Sequence, residues 1–163
     1  IMLSGAYQGK FLSIISKLVQ PQSILEIGTY TGYATLCLLE GLKKSGIIHT
    51  IDLNEELEHI QRKYFNKSGK GDQIIQHTGN AIEIIPQLST KFDLIFLDAD
   101  KPNYPRYLDL IVGKLNSGGV LLSDNVLWHG KVLNPEVHSD ESTKALRRFN
   151  RMLKEHPEME SVM

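Results

Sequence analysis

The chain has 163 residues, a length that suits one domain with one sizeable core. Hydrophobic residues make up 41% and charged residues 23%, and 18 Lys plus Arg against 19 Asp plus Glu leave a formal net charge of −1. That balance advertises neither nucleic acid nor an anionic membrane as a partner.

Cys37 is the single cysteine, so there is no intrachain disulfide and no thiolate zinc cluster, which fits a reducing cytoplasmic setting. No apolar run approaches the roughly 18 residues of a membrane span. Ile1 to Gln20 lacks the charged start, apolar middle and cleavage site of a signal peptide. Starting at Ile1 and stopping at Met163, the chain reads as a piece of a longer protein.

Strand-like and helix-like segments alternate, as in an α/β fold with a parallel sheet covered on both faces. A helix is expected over Phe11 to Val19, with Phe11, Ile14, Ile15 and Leu18 on one face and Pro21 as its stop. Ser23 to Ile27 reads as the first strand, ending in Gly28, and a helix follows from about Tyr33 to Leu42. Ile47 to Ile51 is the second strand. Asn54 caps the next helix, striped by Leu57, Ile60 and Tyr64 and closed by Gly69 and Gly71. Ile74 to His77 is the third strand, with a short helix after it that Pro86 limits. Phe92 to Leu97, nearly all apolar and followed by acid, has the pattern of a central strand. A helix over Tyr104 to Leu115, a fifth strand over Val120 to Ser123, and an amphipathic helix over Ser142 to Glu155 complete the run, with a sixth strand expected to begin at Ser161.

In open parallel sheets, ligands collect beyond the carboxyl ends of the strands. Three features fall there. Glu26 to Tyr33 is a strand–turn–helix in which Gly28 and Gly32 permit a tight turn. Asp52 ends the second strand, about 20 residues past the glycines, where it could take two ribose hydroxyls. Gly79-Asn80-Ala81 ends the third strand and could receive an adenine. The glycine pair alone suits a plain tight turn as well as a nucleotide site; the ordered set favours a nucleotide-like cofactor. The G-x-x-x-G spacing is not the dinucleotide fingerprint, and Glu26 suits a cationic sulfonium and amino group better than a diphosphate. Gly5 to Phe11 is one residue short of a P-loop and precedes a helix, so it is set aside.

Asp98-Ala99-Asp100-Lys101 ends the fourth strand and Asp124-Asn125 the fifth. Each pair alone reads as helix caps or loop ligands. Together, Asp98, Asp124 and Asn125 form a hard oxygen set suited to Mg²⁺, Mn²⁺ or Ca²⁺, with about three octahedral positions left over. Lys101 is either a surface lysine or a base or positive charge beside a developing oxyanion. Trp128 could wall a substrate pocket or pack in the core, and His129 reads as solvated. Cys37, among leucines, reads as core. Lys144, Arg147, Arg148, Arg151 and Lys154 form a basic stripe, by default a solvated face and alternatively an RNA contact.

These residues resemble the metal-dependent class I O-methyltransferases of the catechol and caffeoyl-coenzyme A type, including their small bacterial relatives. The resemblance runs through Met2 to Gly5, Gln8 to Leu12, Leu25 to Tyr33, Asp98 to Lys101, and Asp124 to Trp128 with Gly130-Lys131-Val132. It implies a Rossmann-like doubly wound sheet of order 3-2-1-4-5-7-6, a single S-adenosylmethionine domain over 1–163, and a homodimer. It implies that Met2 and Ser4 line the cofactor pocket, with Glu26 and Gly28 at the methionine end, Asp52 at the ribose and Ala81 at the adenine. Thr29, Ala34, Asp98 and Asp100 are assigned to the same pocket, and Tyr107 lies near cofactor and substrate. Asp98, Asp124 and Asn125 are the implied metal ligands, with Mg²⁺ expected, and Lys101 acts in catalysis together with Asp98. Ala34 departs from the serine of many relatives; helices before Met2 and a closing hairpin after Met163 are also missing from this sequence. The implied reaction is methylation of a catechol-like small molecule on one of two adjacent oxygens. Methylation of a hydroxylated uridine in tRNA is the alternative. A nicotinamide-dependent oxidoreductase, which lacks a Y-x-x-x-K pair here, and a non-catalytic binding module stand behind both.

Overall fold

The computed structural model describes residues 5–137 and 139–163. Its centre is a sheet of strands β1 (Ser23–Ile27), β2 (Ile47–Asp52), β3 (Ile74–Thr78), β4 (Phe92–Leu97) and β5 (Leu115–Ser123), in the order β3-β2-β1-β4-β5. Every paired strand runs parallel to its neighbour. This is the expected Rossmann-like order as far as the fifth strand, and it reverses direction between β1 and β4. Such a switch point leaves a crevice beyond the strand ends, because the connecting chains leave toward opposite faces.

Among the described residues, six α-helices cover the sheet: α1 (Ala6–Val19), α2 (Tyr33–Leu38), α3 (Glu58–Lys67), α4 (Ala81–Gln87), α5 (Tyr104–Ile111) and α6 (Glu141–Glu155). Alternation along the strands divides the core in two. Ile24, Ile48, Leu94 and Phe96 pack with Leu12, Ala34 and Leu38 on the face of α1 and α2. Leu25, Ile27, Ile51, Ile95 and Leu97 pack with Ile85, Leu108, Leu146 and Phe149 on the face of α4, α5 and α6.

Local chemistry accounts for the helix ends. Asn54 Oδ1 accepts from Glu56 N at 3.0 Å and Asn80 Oδ1 from Ile82 N at 3.0 Å, satisfying donors that the first turns leave free. Asp140, which the sequence reading left outside the last helix, caps α6 by accepting from Thr143 N at 3.0 Å. Gln20 ends α1 in the left-handed region, just before Pro21. Pro86 lies inside α4 rather than beyond it.

Two expectations are corrected. Most of the apolar stripe of α1 faces outward: Phe11, Ile14 and Leu18 are exposed and Ile15 is half-buried against the core, while Gly9, Leu12, Ser13 and Ser16 form the buried face. The reason is a close helix contact that only small residues allow. A β-carbon on Gly41 would lie 2.0 Å from the Ser16 carbonyl carbon. Ser16 Oγ also donates to Leu38 O at 2.5 Å. Second, no strand begins at Ser161. Val162 is fully exposed, and an extended segment without a ladder partner leaves its backbone groups to water.

α6 closes the second core through Phe149, which is fully buried and meets the Tyr104 ring edge-on at a centroid distance of 5.1 Å. Phe149→Ala should therefore cost about 3–5 kcal/mol of folding stability, the range for emptying a buried aromatic site. Urea unfolding of both proteins measures it, and a loss below about 1 kcal/mol would show that α6 is not anchored there.

Candidate active site at the carboxyl edge of the sheet

Backbone hydrogen bonds continue past the strand ends and lace the candidate residues into one edge. Gly28 N donates to Ile51 O at 2.9 Å, Gly79 N to Asp52 O at 2.8 Å, Asp98 N to Ile27 O at 2.9 Å and Asp124 N to Leu97 O at 3.0 Å. Four separate sequence motifs thus meet along a single line. Gly28 is obligatory in it. Its φ is +100°, and a β-carbon there would lie 1.9 Å from the Asp98 carbonyl oxygen.

A cavity of about 340 Å³ opens at this edge, walled by Gly28, Asp52, Gly79, Ala81, Asp100 and Tyr107. These are the expected ribose, adenine and neighbouring positions. Asp52 is held in place by two backbone donors, Tyr30 N on Oδ2 at 2.6 Å and Asn54 N on Oδ1 at 2.8 Å. Each carboxylate oxygen keeps further acceptor capacity for a hydroxyl. Asp100 accepts from Tyr107 Oη at 2.6 Å and Asn103 Nδ2 at 2.5 Å. Burial, and then Asp100, pushes the Tyr107 phenol far above its ordinary range, so it stays a donor. A larger cleft of about 620 Å³ lies between α5 and α6. It is lined by mixed charges, including Arg106, Asp109, Glu141 and Arg148, and contains none of the acids at the strand ends.

Glu26, Thr29 and Ala34, expected at the cofactor, do not line that cavity and are buried beside it. Glu26 is fully buried, and its Oε2 accepts from Thr35 Oγ1 and Thr50 Oγ1, each at 2.5 Å. Thr29 Oγ1 turns to Thr50 Oγ1 at 2.5 Å, and Ala34 packs in the core on the α1–α2 face. The hydroxyls are drawn to the buried acid because nothing else there can satisfy it. Burial is the largest influence on Glu26 and lifts its pKa to about 8, against the lowering hydrogen bonds of Thr35 and Thr50. Among the described residues its Oε1 has no partner. An unpartnered acceptor beneath the glycine turn is the kind of group that a cationic amino substituent nearby would stabilise.

The ends of β4 and β5 bring the second constellation together. Lys101 is 7% exposed, which overturns the surface-lysine reading. Its Nζ donates to Asp98 Oδ1 at 3.0 Å and to Tyr104 Oη at 2.7 Å, and lies 4.6 Å from the Tyr104 ring centre. Tyr104 Oη is anchored against Leu97 O and Asp124 O at 3.1 and 3.0 Å. Burial raises the Asp98 carboxyl, Lys101 opposes this, and the adjoining Asp124 carboxylate raises it again. Two carboxylates thus stand beside one lysine that bonds only Asp98, leaving a surplus negative charge edged by oxygen donors. That donor set fits a hard divalent cation. Asn125, exposed and at φ +59°, directs its N and Nδ2 to Asp124 Oδ1 at 2.7 and 3.1 Å. A half-turn of its amide would present oxygen instead. Among the described residues no three His, Cys, Asp or Glu side chains stand at ligand spacing, so a cation here would depend on Asn125 or on further oxygens from outside the chain.

Trp128 packs against the α4–α6 core with its Nε1 buried and unpartnered, while His129 is exposed as expected. Their loop is tied to α6 by Arg147, whose Nε donates to Val132 O at 3.0 Å and Nη2 to Lys131 O at 2.7 Å. Asn150 Nδ2 adds a bond to Val126 O at 2.9 Å. Arg147 is thereby removed from the solvated basic stripe. Met2 and Ser4 lie outside the described residues. The sequence reading did not single out Thr35, Thr50, Tyr104 or Gln8 as site residues. Each is an ordinary polar residue, and for Gln8 and Thr50 the partner is distant in the chain.

A family model described as O-methyltransferase matches residues 1–163. A catechol O-methyltransferase of Niastella koreensis is 37% identical over 150 residues, covering 90% of this chain and 67% of that protein. Caffeoyl-CoA O-methyltransferase 1 of Eucalyptus globulus is 36% identical, over 83% of this chain and 57% of its own length. The chain therefore spans between about half and two thirds of these relatives. The crystal structure of the O-methyltransferase TomG from Streptomyces achromogenes, involved in tomaymycin synthesis and solved in complex with SAM, superposes with a TM-score of 0.89 at 33% identity. That superposition covers 94% of this chain and 70% of TomG.

The buried acid has a measurable consequence. A carboxyl raised from 4.5 to about 8 on folding keeps its proton in the native state while the unfolded chain loses it. Its contribution to stability is complete below pH 4.5 and disappears as pH rises to about 8. Glu26→Gln should remove that downward slope while changing other titrations little. The difference between parent and variant in urea-unfolding free energy, followed across this pH window, isolates it; a difference independent of pH would mean that Glu26 ionises normally in the fold.

Proposed function

The chain belongs to the O-methyltransferase family, and we propose that it transfers the methyl group of S-adenosylmethionine to one of two adjacent oxygens of a catechol-like small molecule, with the aid of a divalent metal ion. The observation that carries this reading is the meeting of the Gly28–Asp52 cavity with the Asp98–Asp124 pair and the buried Lys101 at one sheet edge. The SAM complex of TomG and the names of the catechol and caffeoyl-CoA relatives support the donor and the acceptor class.

Asp98, Asp124 and Asn125 would hold the cation. When bound, such an ion supplies positive charge that lowers the pKa of a neighbouring hydroxyl. Asp52 would orient the ribose of the donor, and Gly28, whose missing side chain lets the end of β4 close on the turn, would form the wall beside it. Glu26 would place an acceptor beneath its amino group. Lys101 already spends two donor directions on Asp98 and Tyr104, and an ammonium has a third to offer. It would stabilise the oxyanion that develops on the acceptor. The oxygen attacks the methyl carbon as the carbon–sulfur bond breaks. Sulfur leaves as a neutral thioether, and the acceptor's proton passes to solvent. The rate gain is mostly positioning and electrostatics.

The donor assignment is tested at Asp52. Asp52→Ala should weaken S-adenosylmethionine binding by roughly 1.5–3 kcal/mol in calorimetric titration, since charge-assisted hydrogen bonds to ribose are lost. Equal affinities would take Asp52 out of the site, and tight NAD binding by the parent would overturn the donor.

The acceptor side is tested at Lys101. Lys101→Met should lower kcat by ~10²–10⁴-fold on a catechol, with partial recovery as pH rises and more acceptor is already ionised. Metal affinity should not fall, because the change removes a positive charge from Asp98. Normal kcat in the variant would return Lys101 to a structural role. Full activity of the parent in excess chelator would sink the metal requirement.

A further inference from the structure

We propose that Gln8 is a positioning residue for the metal ligand Asp124, an inference that rests on the metal reading above. Gln8 lies in the first turn of α1, and its Nε2 donates to Asp124 Oδ2 at 2.8 Å across 116 residues of sequence. A carboxylate can only accept, so the amide nitrogen must face it.

The two acids are held differently. Asp98 is held by the Lys101 ammonium, which partly neutralises it. Among the described residues Asp124 is held by neutral donors alone: the backbone and side chain of Asn125 on Oδ1, and Gln8 on Oδ2. Asn125 is the adjoining residue, exposed and in a left-handed conformation, so it moves with Asp124. Gln8 is the donor on this carboxylate that comes from a packed helix. It opposes the repulsion of Asp98, which alone would turn the Asp124 carboxylate away from its partner. Being uncharged, it fixes the carboxylate plane without consuming the charge that attracts a cation. The anchorage is firm because the next residue, Gly9, is buried so tightly that a β-carbon would lie 2.6 Å from the Tyr33 ring. Outer partners of this kind commonly govern metal affinity by about 10–100-fold.

The test is a titration of the full chain with Mn²⁺, without methyl donor, by calorimetry or by the electron paramagnetic signal of free ion. Gln8→Met keeps the length of the side chain and removes the donor. It should weaken Mn²⁺ binding by about 10–100-fold while kcat at saturating metal recovers toward the parent value. Donor affinity and the metal-free melting temperature should be unchanged. Gln8→Lys keeps a donor but adds charge, and it too should weaken Mn²⁺ binding. Unchanged Mn²⁺ affinity in Gln8→Met would overturn the positioning role and leave the metal site standing. A loss matched by lower donor affinity and a lower metal-free melting temperature would reduce Gln8 to a tether for α1, which also overturns it. Failure of the parent to bind Mn²⁺ would overturn the metal reading and this inference together.

Discussion

The carbonyl oxygen of Asp98 occupies the space in which residue 28 would carry a β-carbon, and the rest of the site depends on that contact. The end of β4 can close on the turn after β1 only because Gly28 has no side chain. The closure sits at the switch point of the sheet, where the helices leave toward opposite faces. It sets the cavity on one side of the turn and the acidic pair on the other. A cofactor bound in the first then lies beside whatever is held by the second.

Around that contact the molecule concentrates charge that burial opposes. Glu26 is fully enclosed, Lys101 nearly so, and Asp98 and Asp124 adjoin each other with one ammonium bonded to Asp98. Such an arrangement is costly unless every group has a partner. The threonines under Glu26, the phenol of Tyr104 and the amide of Gln8 are those partners. Among the described residues, Glu26 Oε1, Ser123 Oγ, Trp128 Nε1 and Asn150 Oδ1 are buried without one. The supporting layer comes from α1, α2, β2 and α5, so the geometry of the site is a property of the assembled domain rather than of the loop that carries any one ligand.

The helix α1 illustrates how packing can reverse an apolar pattern. Periodicity identified the helix and misjudged its buried side. Gly9 was unremarkable by hydrophobicity, yet a β-carbon there would meet Tyr33 and Cys37 of α2, so its lack of a side chain permits this close approach. The larger apolar side chains Phe11, Ile14 and Leu18 were left outside as a result. Hydrophobicity ranks side chains by their cost in water, whereas the inner face of a close helix pair is chosen by size.

Sequence alone determined the alternation of elements, the parallel sheet and the strand ends at which Gly28, Asp52, Ala81, Asp98 and Asp124 appear. Apolar runs, glycine breaks and caps are local signals, and a parallel sheet makes all its functional ends converge on one edge. The motifs were therefore legible before their meeting was. Tertiary structure decided which motif residues face the cavity and which lie beneath it. Glu26, Thr29 and Ala34, expected at the cofactor, turn into the α1–α2 face beside the cavity rather than lining it. It decided that Lys101 is buried, since the ring of Tyr104 covers it, and that Arg147 serves a loop. It also brought Gln8 to Asp124, which no pattern in the chain announces, because a hydrogen bond between residues 116 apart has no period and depends only on where the two elements are packed.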